Sequence, residues 1–258
     1  MSESSEKRMI RETKNQSAQD LQYLPMMDQF WESAYGSSTE KLEAVAKFGS
    51  RQSITKLMAR WEVFQKQLTV NGSIVEVGVH RGASFMAWAQ FSSILEPVNY
   101  LRKVIGFDTF CGFPSLDSKD TIGDSEHLKV GGYDAGGQAK EELQQAIDLF
   151  DANRLMNHIP KCELITGDAS QTIPAYLEEN PHLLVSLLHL DADLYEPTKI
   201  AIKHFLPRMP KGAIICFDEL NLKQLPGETT ATLEECGIRS LRVQRLPWAT
   251  SMSWAILE

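Results

Sequence analysis

Three carboxylates carry the chemistry that this sequence most clearly allows. Asp191 lies in Leu190-Asp191-Ala192-Asp193-Leu194-Tyr195-Glu196, and Asp218 and Glu219 lie in Phe217-Asp218-Glu219-Leu220-Asn221. Each group follows a short apolar run, as strand-end residues do. Acids at strand ends are common as plain caps, so neither group alone means much. If the two runs are adjacent parallel strands, however, all three acids meet at one sheet edge. Converging carboxylates repel unless a cation lies between them. An all-oxygen ligand set favours Mg²⁺ over zinc or copper. Asp193 is a further candidate, because it shares a face with Asp191 if the strand continues that far.

A second group of residues is suited to a small ligand. Glu76-Val77-Gly78-Val79-His80-Arg81-Gly82-Ala83-Ser84 places two glycines four apart between an apolar run and a helical pattern. This is either a tight strand-to-helix turn or a loop that a ligand can approach closely. The helix start after it would offer free N–H groups to a carboxylate or phosphate. The spacing is not GxGxxG, and no Gly-Lys-Ser/Thr follows, which argues against dinucleotides and nucleoside triphosphates. Phe107-Asp108-Thr109-Phe110 ends the next run; its acid could bond ribose hydroxyls or only cap the strand. Gly167-Asp168-Ala169-Ser170 ends the third run. Asp168 could take the exocyclic amine of an adenine and also cap the helix that follows. His80 could line this site. His189 sits inside an apolar run and reads as a core histidine. Trp61, Trp88, Met58 and Met86 fit buried helix faces. No GxSxG elbow occurs, so nothing supports a serine hydrolase.

These residues need a scaffold, and the pattern predicts one. Apolar runs at 73–77, 104–107, 162–166, 183–190, 213–217, 240–244 and 253–257 read as strands. Helical stretches at 83–91, 139–150, 173–179, 195–205 and 229–235 lie between most of them. Alternating strand and helix implies a mostly parallel sheet covered on both faces. Leu246-Pro247-Trp248 suggests an antiparallel hairpin at the end. The stretch 110–137 is long, Gly-rich and Asp-rich, and reads as a functional lid. Upstream, the spacing predicts an amphipathic helix over 53–68, capped by Ser53. Residues 26–48 read as loop plus a short helix, and residues 1–20 as a flexible arm. The expected organisation is therefore arm (1–20), N-terminal helical region (21–70) and main domain (71–258) with its lid.

Composition bounds the partners. The chain has 258 residues, with 26 Lys+Arg against 34 Asp+Glu, a net charge of −8. That balance, without a basic stripe, argues against nucleic acid. No apolar run is long enough to span a membrane, and residues 1–19 lack the hydrophobic centre of a secretory signal. Cys111, Cys162, Cys216 and Cys236 have no CxxC spacing, so a zinc knuckle is not expected. Cys162 and Cys216, which begin or lie inside apparent strands, read as reduced core thiols of a cytoplasmic protein.

Taken in order, Glu76-Val-Gly78-Val-His-Arg81-Gly82-Ala-Ser84, Phe107-Asp108-Thr-Phe110-Cys-Gly112-Phe-Pro114, Leu190-Asp191-Ala-Asp193-Leu-Tyr195-Glu196 and Asp218-Glu219 resemble the macrocin O-methyltransferase family. The resemblance spans about residues 50 to 258. Asp218-Glu219-Leu-Asn followed by Pro226-Gly227-Glu228-Thr229 is most similar to the branch acting on dTDP-6-deoxyhexoses such as dTDP-rhamnose. Where many family members carry Asp-Asp, this chain has Asp218-Glu219. The resemblance implies a class I, Rossmann-like methyltransferase fold with a seven-stranded sheet, and S-adenosylmethionine and Mg²⁺ as cofactors. It implies that Glu76, Gly78, Arg81, Gly82 and Ser84 hold the methionine part. It places Asp108, with Thr109 and Phe110, at the ribose, and Asp168 with Ala169 near the adenine. A dimer or larger homo-oligomer is also implied.

The acceptor would be a sugar hydroxyl, whose pKa is far above neutral. A cation on Asp191, Asp218 and Glu219 would lower it. Asp191 is the first candidate for general base and Asp193 the second. Asp193, Tyr195, Tyr133 and His127 are candidate acceptor contacts. Two competing readings are a Mg²⁺-dependent catechol-type O-methyltransferase and a non-catalytic cofactor-binding module. Retention of three metal-type carboxylates speaks against the module. A nucleotide-sugar dehydrogenase or epimerase is disfavoured by the glycine spacing and by the lack of a Tyr-xxx-Lys pair.

Overall fold

The computed structural model describes residues 16–258. Most of the expected flexible arm, residues 1–15, lies outside the described residues. The described residues divide into two compact units, one ending at Met58 and the other spanning Ala59–Glu258.

The first unit is more helical than the sequence pattern predicted. Helix α1 (Ala18–Ser33) starts at a reciprocal cap: Asp20 N donates to Ser17 Oγ at 3.2 Å, and Ser17 N donates to Asp20 Oδ2 at 2.9 Å. Ser37 and Glu40 repeat the device at α2 (Ser38–Glu43), and α3 (Val45–Phe48) follows. Such capping boxes satisfy otherwise orphaned N–H groups and nucleate helix where hydrophobic periodicity is weak. Phe48 folds back onto Phe30 and Trp31, with ring centroids 5.3 and 5.1 Å apart. Residues 26–48 are thus three helical segments rather than loop plus one short helix. Helix α4 (Arg51–Gln65) begins two residues before the expected start. Its N-terminal acceptor is Ser50, whose Oγ takes the Ser53 N–H at 3.0 Å, and Ser53 lies inside the helix. Leu57 and Met58, expected on a buried face, are exposed.

The second unit is a seven-stranded sheet in the order β3-β2-β1-β4-β5-β7-β6. The strands are β1 (Ser73–Val77), β2 (Val104–Asp108), β3 (Cys162–Thr166), β4 (Val185–Leu190), β5 (Ile214–Phe217), β6 (Gln244–Leu246) and β7 (Ala249–Ile256). The first five are parallel, while β7 runs antiparallel to β5 and β6 antiparallel to β7. Pro247 and Trp248 make the final turn, as expected, but β6 lies later than 240–244. Residues Ile238–Ser240 form a 3₁₀ turn instead, after Gly237 at φ 66°. Helices α5 (Ala83–Leu95), α6 (Ala139–Ala152), α7 (Ala169–Glu179), α8 (Tyr195–Phe205) and α9 (Gly227–Glu235) complete the unit.

Side chains alternate along each strand, so the sheet has two apolar faces. One collects Ile74, Leu187 and Ile214 against Phe64, Phe85 and Trp88. The other collects Val75, Leu188 and Ile215 against Ile173, Ile202 and Phe205. Each such side chain contributes about 1.5–3 kcal/mol by leaving water. The register pairs Val77 with Phe107 and with Leu190, and Leu190 with Phe217. The carboxyl ends of β2, β1, β4 and β5 are therefore level. The order reverses between β1 and β4, the place where open α/β sheets leave a crevice for ligands.

Candidate active site

The level strand ends decide where the acids go. Asp191 N donates to Val77 O at 2.9 Å and Asp218 N to Leu190 O at 3.2 Å, which carries the ladder one residue past each strand. Asp191, Asp218 and Glu219 each bring one carboxylate oxygen within 4.8 Å of the others. Opposite ligands of an octahedral Mg²⁺ lie about 4.2 Å apart. Small side-chain turns would close this set on one cation, and its oxygen-only chemistry fits Mg²⁺.

The electrostatics fit as well. Burial, and then repulsion from Asp218, pushes the carboxyls of Asp191, Glu219 and Glu228 well above the usual carboxylate range. The buried Arg60 brings Nη2 only to 4.0 Å from Asp218 Oδ1. Among the described residues, Glu219 Oε2 and Glu228 Oε2 are buried without a hydrogen-bond partner. Leaving such oxygens unpaired is costly, and a cation would relieve it. Sequence reasoning assigned no role to Arg60 or Glu228. Glu228 is wholly buried in the first turn of α9, where its Oε1 accepts the Glu219 N–H at 3.0 Å. The only linear hint was its place in Pro226-Gly227-Glu228, just after the acidic pair.

Asp193 reaches the cluster by a different route from the one expected. Strand β4 stops at Leu190, and Asp193 sits in a left-handed turn at φ 61°. It is near enough to raise the proton affinity of Asp191, Glu219 and Glu228. Gly78, at φ 92°, lies backbone to backbone with this turn, and a Cβ there would overlap the Asp191 carbonyl. That glycine is therefore required by the acid loop itself.

The ligand-loop residues take more defined roles. Asp108 Oδ2 accepts the N–H groups of Val79 and His80 at 2.6 and 2.7 Å, and Oδ1 accepts Phe110 N–H at 2.6 Å. A carboxylate has about four acceptor positions. Asp108 thus clamps the glycine loop to the end of β2 and keeps room for roughly one further donor. Ser84 Oγ donates to Glu76 Oε1 at 2.7 Å, and His189 Nδ1 lies 3.2 Å from Glu76 Oε2. Glu76 and His189 are wholly buried, so Glu76 is turned into the core rather than toward solvent. Gly82 adopts φ 80° at the start of α5, and no side chain among the described residues caps that helix. Its first N–H groups remain open to an anion. Arg81 is exposed and lies 3.9 Å from Glu142. Thr109 Oγ1 donates to Gly112 O at 2.7 Å, and Phe110 is buried at φ 56°. Asp168 caps α7 through Ser170 N at 2.8 Å, with Ala169 as the first helical residue. Burial pushes His80 below its usual pKa.

The four candidate acceptor contacts do not converge. Tyr195 is buried, and its hydroxyl donates to Glu234 at 2.6 Å. His127 and Tyr133 pack on each other within the loop 110–137, 4.9 Å between ring centroids. Only Asp193 approaches the acids.

A sequence model of the macrocin-O-methyltransferase (TylF) family matches residues 10–235. This chain belongs to the macrocin-O-methyltransferase family. Its solved relatives include the calicheamicin methyltransferase CalS11, with 28% identity and a TM-score of 0.89 over 96% of this chain and 95% of that one. An apo structure described as CalS11, TDP-rhamnose 3'-O-methyltransferase, gives 26% identity and a TM-score of 0.81 over 94% and 96%. A curated relative from Streptomyces olivaceus, 8-demethyl-8-(2,3-dimethoxy-alpha-L-rhamnosyl)-tetracenomycin-C 4'-O-methyltransferase, is 25% identical over 150 residues. That alignment takes in 58% of this chain and about half, 53%, of the relative's length. Within the macrocin-O-methyltransferase fold, the acid edge is built where the neighbouring strands β4 and β5 end, with β4 beside β1. No helix among the described residues is long and apolar enough to cross a membrane.

Proposed function

We propose that this chain transfers the methyl group of S-adenosylmethionine to a hydroxyl of a deoxysugar, with Mg²⁺ held by Asp191, Asp218 and Glu219. The carrying observation is the convergence of those three half-buried acids at the crevice of a macrocin-O-methyltransferase fold. Bound there, Mg²⁺ supplies a Lewis acid that lowers the hydroxyl pKa and orients its oxygen. S-adenosylmethionine supplies the electrophilic methyl group. The uncapped start of α5 offers N–H groups to its carboxylate, and the Asp108 clamp keeps the loop that lines it in one shape.

The chain's own groups then manage the proton. Asp191 is half-buried and held among other acids, and both desolvation and their repulsion raise its proton affinity. A carboxylate committed to a cation is nonetheless a weak base. Asp193, placed by its left-handed turn beside the same acids, is the better acceptor of the hydroxyl proton. Alignment of oxygen and methyl supplies much of the acceleration, because the reacting sulfonium loses its charge on transfer. The relatives named for rhamnose chemistry support a dTDP-rhamnose-like or glycosidic acceptor. The four free cysteines suit the reducing cytoplasm.

Calorimetry tests the reading. S-adenosylhomocysteine should bind with Mg²⁺ and with EDTA, and dTDP-rhamnose should bind only with Mg²⁺. Cofactor binding without any sugar response would move the acceptor to glycosides or catechols. Absence of cofactor binding would overturn the reading.

A further inference from the structure

The loop 110–137 is fastened, and its fastening falls on the helix that follows the acids. Asp120 is 1% exposed. Its Oδ1 accepts the Tyr195 N–H at 2.8 Å, and its Oδ2 accepts the Asp117 N–H at 2.9 Å. Tyr195 is the first residue of α8, so its amide is one of the donors that a helix start leaves without an internal partner. The residue at the cap position is Leu194, which has no side-chain acceptor. The cap is instead supplied by the loop, 75 residues upstream. Burial pushes the Asp120 carboxyl above its usual pKa although two N–H groups oppose it. Its two acceptor oxygens lie at the amino-terminal, positive end of α8.

Neighbouring contacts converge on the same joint. A Cβ at Gly227 would overlap Asp120 Oδ1 and the backbone of Leu194 and Tyr195, so a glycine is needed for the loop to seat. Lys119 Nζ lies 2.7 Å from Glu234 Oε1 and 3.8 Å from the Tyr195 ring centre. A Cβ at Gly123 would overlap the Gln224 carbonyl, which also accepts the Ser125 N–H at 3.4 Å. The elements that these contacts reach adjoin the acids. Helix α8 follows Asp191 and Asp193 directly, α9 carries Glu228 beside Gly227, and Gln224 follows Asp218 and Glu219. The turn between is tight: Leu194 N donates to Ala192 O at 2.6 Å, with Asp193 left-handed.

We propose that Asp120 is a positioning residue that caps α8 from the loop and so couples the seating of that loop to the placement of Asp191 and Asp193. The consequence for methyl transfer rests on the metal-assisted reading above. With the cap gone, the first turn of α8 frays and the acid turn loses its downstream anchor. With it in place, a seated loop and an ordered acid turn occur together.

The test compares Asp120→Ala, Asp120→Asn and Lys119→Ala by hydrogen exchange of peptides covering 112–126 and 191–198, and by Mn²⁺ binding. Asp120→Ala should speed exchange in both peptides together, by about fivefold for loss of a cap, and weaken Mn²⁺ binding about tenfold, as loss of a supporting contact does. Asp120→Asn keeps an acceptor for Tyr195 N–H and should restore most of both. Lys119→Ala should loosen the loop peptide alone. With substrate, Asp120→Ala should lower kcat more than it raises KM. Faster exchange confined to the loop, with Mn²⁺ affinity unchanged, would overturn the proposal. If Asp120→Ala does not fold, the Asn variant decides. Mn²⁺ affinity and exchange at 191–198 near wild type in the Asn variant support the cap, and losses there as large as those expected for Ala refute it. Wild-type protein that binds no Mn²⁺ would instead remove the metal reading, while linked exchange in the two peptides would still support the clasp.

Discussion

The two ends of the parallel sheet treat buried charge in opposite ways. At the amino-terminal end, Arg102 is 4% exposed and every donor it has is used. Its Nη1 donates to Gln67 Oε1 at 2.6 Å, to Gly72 O at 2.9 Å and to Ser186 Oγ. Its Nη2 donates to Val70 O at 2.9 Å, and its Nε pairs with Glu96 at 2.9 Å. At the carboxyl end, Asp191, Asp218, Glu219 and Glu228 face one another, with Arg60 no closer than 4.0 Å to Asp218 Oδ1. The first arrangement ties the α4–β1 connection to β4 and is architecture. The second is destabilised in itself and acquires a purpose only with a ligand.

The largest expected break in that contrast is in turnover. Asp191→Asn and Asp218→Asn should each lower kcat by about 10³-fold or more, since a Lewis acid supplies several kcal/mol of the barrier. S-adenosylhomocysteine affinity, read by calorimetry, should stay within about twofold, because the ligand loop is built from other residues. Loss of cofactor binding in both variants would refute the division of roles.

The amino-terminal end should answer with stability instead. Arg102→Ala leaves Glu96, Gln67, Ser186 and the carbonyls of Leu68, Val70 and Gly72 without this donor. It should cost about 3–5 kcal/mol in urea unfolding. Molecules still folded should keep wild-type cofactor affinity. A loss below about 1 kcal/mol would mean the network is redundant.

How much of this was legible in the sequence follows the same division. Strands β1 and β3 and helix α8 lie where the pattern put them. Strand β1, buried throughout, reads as a nearly continuous apolar run, β3 lies between clear turn signals at the edge of the sheet, and α8 shows a helical period. Strand β6 was misplaced because it is an edge strand and carries polar residues such as Gln244 and Arg245, whereas β7 was found but begins four residues before the expected run. The N-terminal helices were missed because their signal is capping chemistry, not periodicity. Asp191, Asp218 and Glu219 could be found because position at a strand end and residue type together imply convergence. Arg60, Asp120 and Glu228 could not, since only tertiary packing brings α4, the loop and α9 to that edge. For the same reason, the three N–H groups that occupy Asp108 are invisible in a linear reading.

Acidity sharpens the contrast further. Asp191, Glu219 and Glu228 have folded pKa values raised above the unfolded range near 4. Such groups contribute stability that is fully present below the unfolded value and is lost as pH rises through the folded one. In EDTA, the melting temperature should therefore fall as pH rises from about 5 toward neutrality. Mg²⁺ at a hundred times its Kd should restore about 2.7 kcal/mol and flatten the profile. Asp218→Asn should raise stability in EDTA by about 1 kcal/mol through relief of repulsion. A flat profile in EDTA would show that the acids are already compensated.

The smallest effect belongs to the other end. Burial lowers the Lys161 pKa to about 8, although Glu96 pulls it up. Its Nζ donates to Asn99 O at 2.8 Å, so the neutral amine keeps a partner. An unfolded lysine titrates near 10.4. Between those values the unfolded chain holds a proton that the folded one has released. Stability should therefore rise with pH across that window and be lost as pH falls through 8. Screening by solvent limits the gain to about 1 kcal/mol. The comparison that isolates it is wild type against Lys161→Met, melted from pH 7 to 10. A difference between the two that grows with pH over this window assigns the proton to Lys161. Parallel curves would leave Arg102 as the only buried cation here whose burial shapes stability, and it would do so without titrating.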